Sequence, residues 1–311
     1  MKPDLFLADL LEKPARLRQL DLDDAWGFVV PPERVLLLGM GSSHYANLVC
    51  AARLRAAGVP AVAELASSDL LPTVTPDTLV VAVSASAGSV ETLDAVDRLG
   101  VPVVAVANRP GPLTERASRT VWMQAGEERG GVACRSFQHT LALLLALESH
   151  LGGAPLPPVA ETADATEDLL ARADTWRPRL AGLLLGPHGT HVVAPARRIS
   201  SAYQSALMLR EGPRLPAVGC ETGDWSHVDV YLTKTTDYRM LLLGGSRWEP
   251  QLLDWTGQRG TTVVAVGADV PGVAETLRYA HDDVDDVRLL TETLVGELLA
   301  AHAWLSGASS A

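Results

Sequence analysis

Arg34-Val-Leu-Leu-Leu-Gly-Met-Gly-Ser-Ser-His-Tyr-Ala-Asn47 reads as a strand, a tight turn and the start of a helix. The apolar run Val35 to Leu38 has the character of a buried parallel strand, broken at Gly39 and Gly41. Two hydroxyl residues follow, and a helical pattern opens near Tyr45. Glycines let backbone N–H groups approach a ligand, and a helix N-terminus favours negative charge. Ser42 and Ser43 can donate further hydrogen bonds there. A phosphate is the natural occupant of such a turn. The alternative is an ordinary βα connection in which a serine only caps the helix.

Strands and helices alternate outward from this stretch. Tyr45–Ala57 is expected as a helix, Ala61–Glu64 and Leu79–Val83 as strands, and Thr92–Leu99 as a helix. Val103–Val106 and Thr120–Met123 are strand-like, and 137–151 is a very apolar helix. Repeated units of this kind imply a parallel sheet covered on both faces. Gly152-Gly-Ala-Pro-Leu-Pro-Pro158 interrupts the pattern as a linker, and an acidic amphipathic helix runs from about Glu161 to Asp174. The second half then echoes the first: Leu79–Ser84, a helix and Gly100–Val106 are matched by Met240–Ser246, a helix and Gly260–Val266. The expected organisation is an N-terminal helical segment (1–30), a first α/β domain (31–152), a linker with its helix (153–179) and a second, similar α/β domain (180–311), each a doubly wound parallel sheet.

Composition narrows the function. The chain has 311 residues, with Lys and Arg totalling 26 against 37 Asp and Glu, a net charge of −11. That acidic balance, and the lack of a basic helix-turn-helix head in residues 1–30, argue against nucleic-acid binding. No apolar run approaches a membrane span and no secretory leader is evident at Met1, so a cytoplasmic protein without membrane attachment is expected. Cys50, Cys134 and Cys220 are far apart and suggest neither disulfides nor zinc.

The chemistry-bearing residues lie in separate stretches. A second hydroxyl-rich turn, Ser84-Ala-Ser-Ala-Gly-Ser89, also follows a parallel strand, so Ser42, Ser43, Ser84, Ser86 and Ser89 can converge at the carboxyl ends of the strands. Such a cradle suits a phosphate monoester without any lysine. A Walker loop is absent, and Gly39-Met-Gly41 lacks the third glycine of a dinucleotide fingerprint. In the second half, the helix around Tyr203–Gly212 places Glu211 in its last turn. The helix dipole there raises a carboxylate's proton affinity, which suits a base; a solvated terminal glutamate is the alternative. His227 follows in a polar loop before an expected strand, Val230–Leu232, and is either a functional group or a structural hydrogen-bonding residue. His281-Asp-Asp-Val-Asp-Asp286 is read as a solvated acidic loop rather than a metal site. Cys134 beside Arg135 is either activated or simply buried.

Taken together these blocks resemble the sugar isomerase (SIS) domain family, in its double-domain form. Gly39–Ser43 stands where the family has Cys-Gly-Thr-Ser, and Ser84–Ser89 where it has Ser-Gln-Ser-Gly-Glu-Thr. Gly131-Val-Ala-Cys134 is similar to Gly-Val-Ala-Ser, and Ala206–Glu211 to Ala-Leu-Lys-Leu-Lys-Glu; the interval from Glu211 to His227 equals the family's interval from glutamate to histidine. The resemblance implies flavodoxin-like domains and a phosphosugar aldose–ketose isomerase of a hexose phosphate, plain, amino or otherwise modified. It also implies phosphate binding by Gly41, Ser42, Ser43, Ser84, Ser86 and Ser89, substrate contacts at Ala133 and Cys134, proton transfer by Glu211 and ring opening assisted by His227. No cofactor or metal is implied, and the expected assembly is a homodimer with a shared active site. A ketosamine-phosphate deglycase or deaminase, and a catalytically inactive sugar-phosphate sensor, are the alternatives. Ala85 and Ala87-Gly88 depart from the family's polar residues. Lys2, Lys13 and Lys234 are the only lysines, so a Schiff base on the C-terminal lysine of the family is not expected.

Overall fold

The computed structural model describes residues 1–307; the last part of the lysine-free segment 304–311 lies outside the described residues. Helices α1 (Pro3–Leu11) and α2 (Lys13–Leu17) come first, followed by β1 (Arg34–Gly39), α3 (Gly41–Ala56), β2 (Ala61–Leu65) and β3 (Thr78–Val83). Next are α4 (Val90–Leu99), β4 (Val104–Ala107), α5 (Pro112–Arg116), β5 (Arg119–Trp122) and α6 (Arg135–Gly152). After α7 (Val159–Ala171) and α8 (Ala173–Leu184) the alternation restarts with β6 (Thr190–Ala194), α9 (Ile199–Glu211), β7 (Ala217–Glu221) and α10 (Thr222–Trp225). The chain closes with β8 (Arg239–Leu243), α11 (Glu249–Gln258), β9 (Thr262–Val266), β10 (Glu275–Leu277), α12 (Asp285–Thr291) and α13 (Thr293–Leu305).

Two five-stranded sheets result. The first has the order β2-β1-β3-β4-β5 and the second β10-β9-β8-β6-β7, so that the second, counted from β7, repeats the order of the first. Every strand pair is parallel. The stretches that echo one another in sequence, β3-α4-β4 and β8-α11-β9, occupy equivalent places in the two sheets. The expected doubly wound α/β architecture is what the chain adopts.

Each sheet anchors its own compact unit. One unit comprises Arg16–Glu128 and Ala133–Val159; the other comprises residues 1–15, 129–132 and those from 160 onward. In the first, Leu36 and Leu38 pack with Val80, Ala82, Val103 and Ala105 across three strands. All four residues from Val35 to Leu38 are buried, and each fully buried leucine contributes about 1.5–3 kcal/mol. In the second, Val193, Met240, Leu242, Val263 and Ala265 form the matching core against Leu252 of α11. Among the described residues, no helix is long and apolar enough to cross a membrane.

The expected strand Val230–Leu232 is not formed. Asp229–Lys234 is a 3-10 helix, and the edge strand of the second sheet is β7 instead. Asp229 accounts for the difference: its carboxylate lies 3.3 Å from His191 Nδ1 and accepts from the Tyr238 hydroxyl at 3.3 Å. Tyr238 in turn accepts from Trp225 Nε1 at 2.8 Å. Drawn in at its start, the segment buries Val230 and Thr233. That three-residue spacing is the period of a 3-10 turn, not of a strand.

Candidate active site

Glycine at 39 is required by crowding where β1 ends: a Cβ there would lie 2.9 Å from Ser43 Cβ and 3.0 Å from Asn47 Nδ2. Gly41 has φ +48°, the left-handed conformation that lets the chain turn directly into α3. The residue preceding α3, Met40, gives no side-chain cap; its carbonyl accepts from Ser43 N–H at 3.1 Å, and among the described residues no carboxylate or hydroxyl closes on the Gly41 and Ser42 N–H groups ahead of it. Ser42 and Ser43 are partly buried at that terminus. Asn47, wholly buried one turn further on, has no hydrogen-bond partner on either amide atom. The sequence reading missed it, because a lone asparagine inside a helix carries no pattern.

The serine turn after β3 lies beside this terminus, since β1 and β3 are neighbours with Leu38 opposite Ala82. From this pair the chain winds outward in both directions, to β2 on one side and β4 on the other, which makes the gap between them the switch point where ligands collect. Ser84 is buried and its carbonyl accepts from Ala87 N–H at 2.9 Å. Ser86 is exposed, and its hydroxyl accepts from Gly88 N–H at 3.3 Å. Ser89 is the N-cap of α4, accepting from Thr92 N–H at 3.3 Å and donating to the Glu91 carboxylate at 2.9 Å. A hydrogen bond from its own backbone N–H, helped by the Ser89 hydroxyl, holds the Glu91 carboxyl below its ordinary range. Ala87 takes the left-handed conformation, φ +53°, at the place where the resembled motif has glycine.

Elsewhere the protein's own carboxylates occupy clusters of backbone N–H groups. Glu128 Oε1 accepts from the N–H groups of Cys134, Arg135 and Ser136 at 2.7, 2.7 and 3.1 Å, which fills the start of α6. Cys134 is fully buried there, next to Ala133. In the second sheet, Glu249 accepts from Gly245 N–H and, at 2.6 Å, from Ser246 N–H, filling the turn after β8 that corresponds to Ser84–Ser89. The turn after β6, equivalent to Gly39–Ser43, carries Arg197 and Arg198. Arg198 is buried against Glu292 at 3.0 Å and also pairs with Asp285, which Arg197 holds at 2.8 Å. Burial opposes ionisation of Asp285, but the two arginines outweigh it and keep the carboxyl below its usual range. Asp282 is likewise bound by Arg278 at 2.6 Å, so the 281–286 run is spoken for by arginines. The second sheet is thus self-neutralised where the first is open.

Glu211 is the last residue of α9 and is partly buried. Behind it, Gly212 packs on the Trp304 ring: a Cβ there would lie 2.9 Å from Trp304 Cε3 and 3.3 Å from the Met208 carbonyl oxygen. Trp304 itself rests on Phe6, ring centroids 6.1 Å apart. Gly212→Ala is therefore expected to destabilise the protein by about 1–3 kcal/mol through overpacking and to displace the Glu211 end of α9. Urea unfolding checks this, and a wild-type midpoint would mean that Trp304 yields freely. His227 is exposed on the turn after α10, its N–H bonded to the Asp224 carbonyl at 2.8 Å. The serine turns belong to the first-sheet unit, and Glu211 and His227 to the second.

Comparison with known proteins agrees with this architecture. Residues 29–149 match the SIS domain family. Glutamine–fructose-6-phosphate aminotransferase (isomerizing) of Aeropyrum pernix is 30% identical over 243 residues, 72% of this chain and 38% of that protein. The chain thus spans well under half the length of that relative. Among solved structures, the C-terminal domain of glucosamine-fructose-6-phosphate aminotransferase from Francisella tularensis superposes with a TM-score of 0.81 at 17% identity, covering 98% of this chain and 96% of that one. Tagatose-6-phosphate ketose/aldose isomerase from Escherichia coli gives 0.83 at 15%, covering 98% and 94%. With one domain matched directly and a sequence relationship extending across most of its length, the chain contains a SIS domain and is homologous to the isomerase half of glucosamine-fructose-6-phosphate aminotransferase.

Proposed function

We propose that this protein is a phosphosugar aldose–ketose isomerase acting on a hexose phosphate, plain or amino-substituted. The observation that carries the reading is the uncapped start of α3 beside the Ser84–Ser89 turn, in a protein where Glu128 fills the start of α6 and Glu249 fills the turn after β8 that corresponds to Ser84–Ser89. An anion from outside is what completes this terminus. In this reading Gly41, Ser42, Ser43, Ser84, Ser86 and Ser89 hold the phosphate. Glu211 takes a proton from C1 of the open-chain ketose, leaving an enediolate, and returns it to C2 to give the aldose. His227 assists ring opening, and its exposure suits a side chain offered to a second copy in a homodimer.

Release of an amine from a ketosamine phosphate would begin with the same proton transfer, so ammonia release is measured alongside isomerisation. The test is a thermal-shift screen of sugars with and without phosphate. A ligand present at 100 times its Kd stabilises the native state by about 2.7 kcal/mol. One hexose phosphate should raise Tm by several degrees while its unphosphorylated form does nothing, and the stabilising sugar should then exchange its C1 or C2 hydrogen in deuterated water. Absence of stabilisation by every phosphosugar would sink the reading.

A further inference from the structure

Hydroxyls and helix termini offer a phosphate monoester only partial charges, whereas the ligand carries close to two full negative charges near neutral pH. The first-sheet unit contains no lysine, and the chain as a whole is acidic. A cation is nevertheless held against the serine turn. The loop after β4, Asn108-Arg-Pro-Gly111, is fastened to that turn on both sides of Arg109: Asn108 N–H donates to the Ala85 carbonyl at 3.1 Å and Leu113 N–H to the Ala87 carbonyl at 2.9 Å. Gly111 approaches so closely that a Cβ would lie 3.1 Å from Ala87 Cβ and 3.3 Å from the Ser86 carbonyl oxygen. Asn108 is itself locked, donating to the Gly126 carbonyl at 2.7 Å and accepting from Ala125 N–H at 3.0 Å. Arg109 Nε donates to the Ser86 carbonyl at 3.4 Å. Its side chain is exposed and, among the described residues, has no carboxylate partner.

We propose that Arg109 is the phosphate-gripping cation of this site, with its remaining guanidinium N–H groups closing on the monoester dianion bound at the Ser84–Ser89 turn. The proposal rests on the phosphosugar reading and adds to it the residue that supplies full charge. It also answers the loss of a side-chain amide at Ala85, because the fork of a guanidinium takes two phosphate oxygens at once. Glu91 acts in the opposite sense. Its carboxylate draws the Ser89 hydroxyl and sets a like charge beside the incoming phosphate.

The experiment is calorimetric titration of the full chain with fructose 6-phosphate and with inorganic phosphate at several salt concentrations, for wild type, Arg109→Ala, Arg109→Lys, Glu91→Gln and Ser42→Ala. Arg109→Ala should weaken both ligands about 10- to 100-fold and flatten the salt dependence. Arg109→Lys should recover part of the affinity, since it restores charge without the fork, and Glu91→Gln should tighten binding. Wild-type affinity in Arg109→Ala, together with weakened binding in Ser42→Ala, would overturn the role of Arg109 while leaving the serine cradle in place. Absence of binding by the wild type would overturn both.

Discussion

Glu211→Gln is expected to slow aldose–ketose interconversion about 10²- to 10⁴-fold, the range that a positioned general base contributes. Glutamine keeps the volume and planar shape of the side chain but cannot take up a proton. The end of α9, the Gly212 contact with Trp304 and the two serine turns are all left as they are, so binding should survive the loss of turnover. Two measurements separate these effects: loss of C1 and C2 hydrogen in deuterated water, and the thermal shift produced by the same sugar phosphate. Persistent exchange in the variant would move the base to another residue. A wild-type protein that binds phosphosugars yet never exchanges their hydrogens would instead be a sensor, and the variant would then match it in every assay.

How much of this could be read from residues alone depended on how local each determinant is. Val35–Leu38, Gly39 and Gly41 declare themselves within one turn of chain, because a buried strand and a glycine turn each have a short-range signature. The alternation that follows was enough to give the parallel sheets, and the echo between β3-α4-β4 and β8-α11-β9 gave their kinship. Asp229 shows the opposite case. The partner that draws it out of the expected strand, His191, lies 38 residues earlier in the chain. Glu128 closes the start of α6 and Glu249 fills the turn after β8 in ways that no spacing rule singled out, and Arg109 looks like any loop arginine until the loop is seen fastened to Ala85 and Ala87. The catalytic assignment of Glu211 and His227 leaned most on resemblance. An acid at a helix end and a histidine in a polar loop are common features with many meanings.

Lys13→Met is expected to be the most destabilising of the single substitutions considered, at about 3–5 kcal/mol. Lys13 in α2 and Glu297 in α13 form an ion pair with neither side chain exposed to solvent at all. Methionine fills most of the space of the lysine stem, so the loss comes chiefly from the buried carboxylate left without its cation. Glu297→Gln in the Lys13→Met background should recover most of it, because that change removes the stranded charge. The pair also ties α2 to the helix whose Trp304 ring backs Gly212, next to Glu211. Asp9 adds a second tie through Gly130 N–H at 2.7 Å, and Phe6 packs on the same tryptophan. Loosening α2 should thus be felt at the end of α9, and Lys13→Met should lose turnover at temperatures well below its own unfolding. Denaturant unfolding of the two singles and the double gives the coupling directly. A single-variant cost under about 1 kcal/mol would place the pair in contact with water, and the N-terminal helices would then contribute little to holding Glu211.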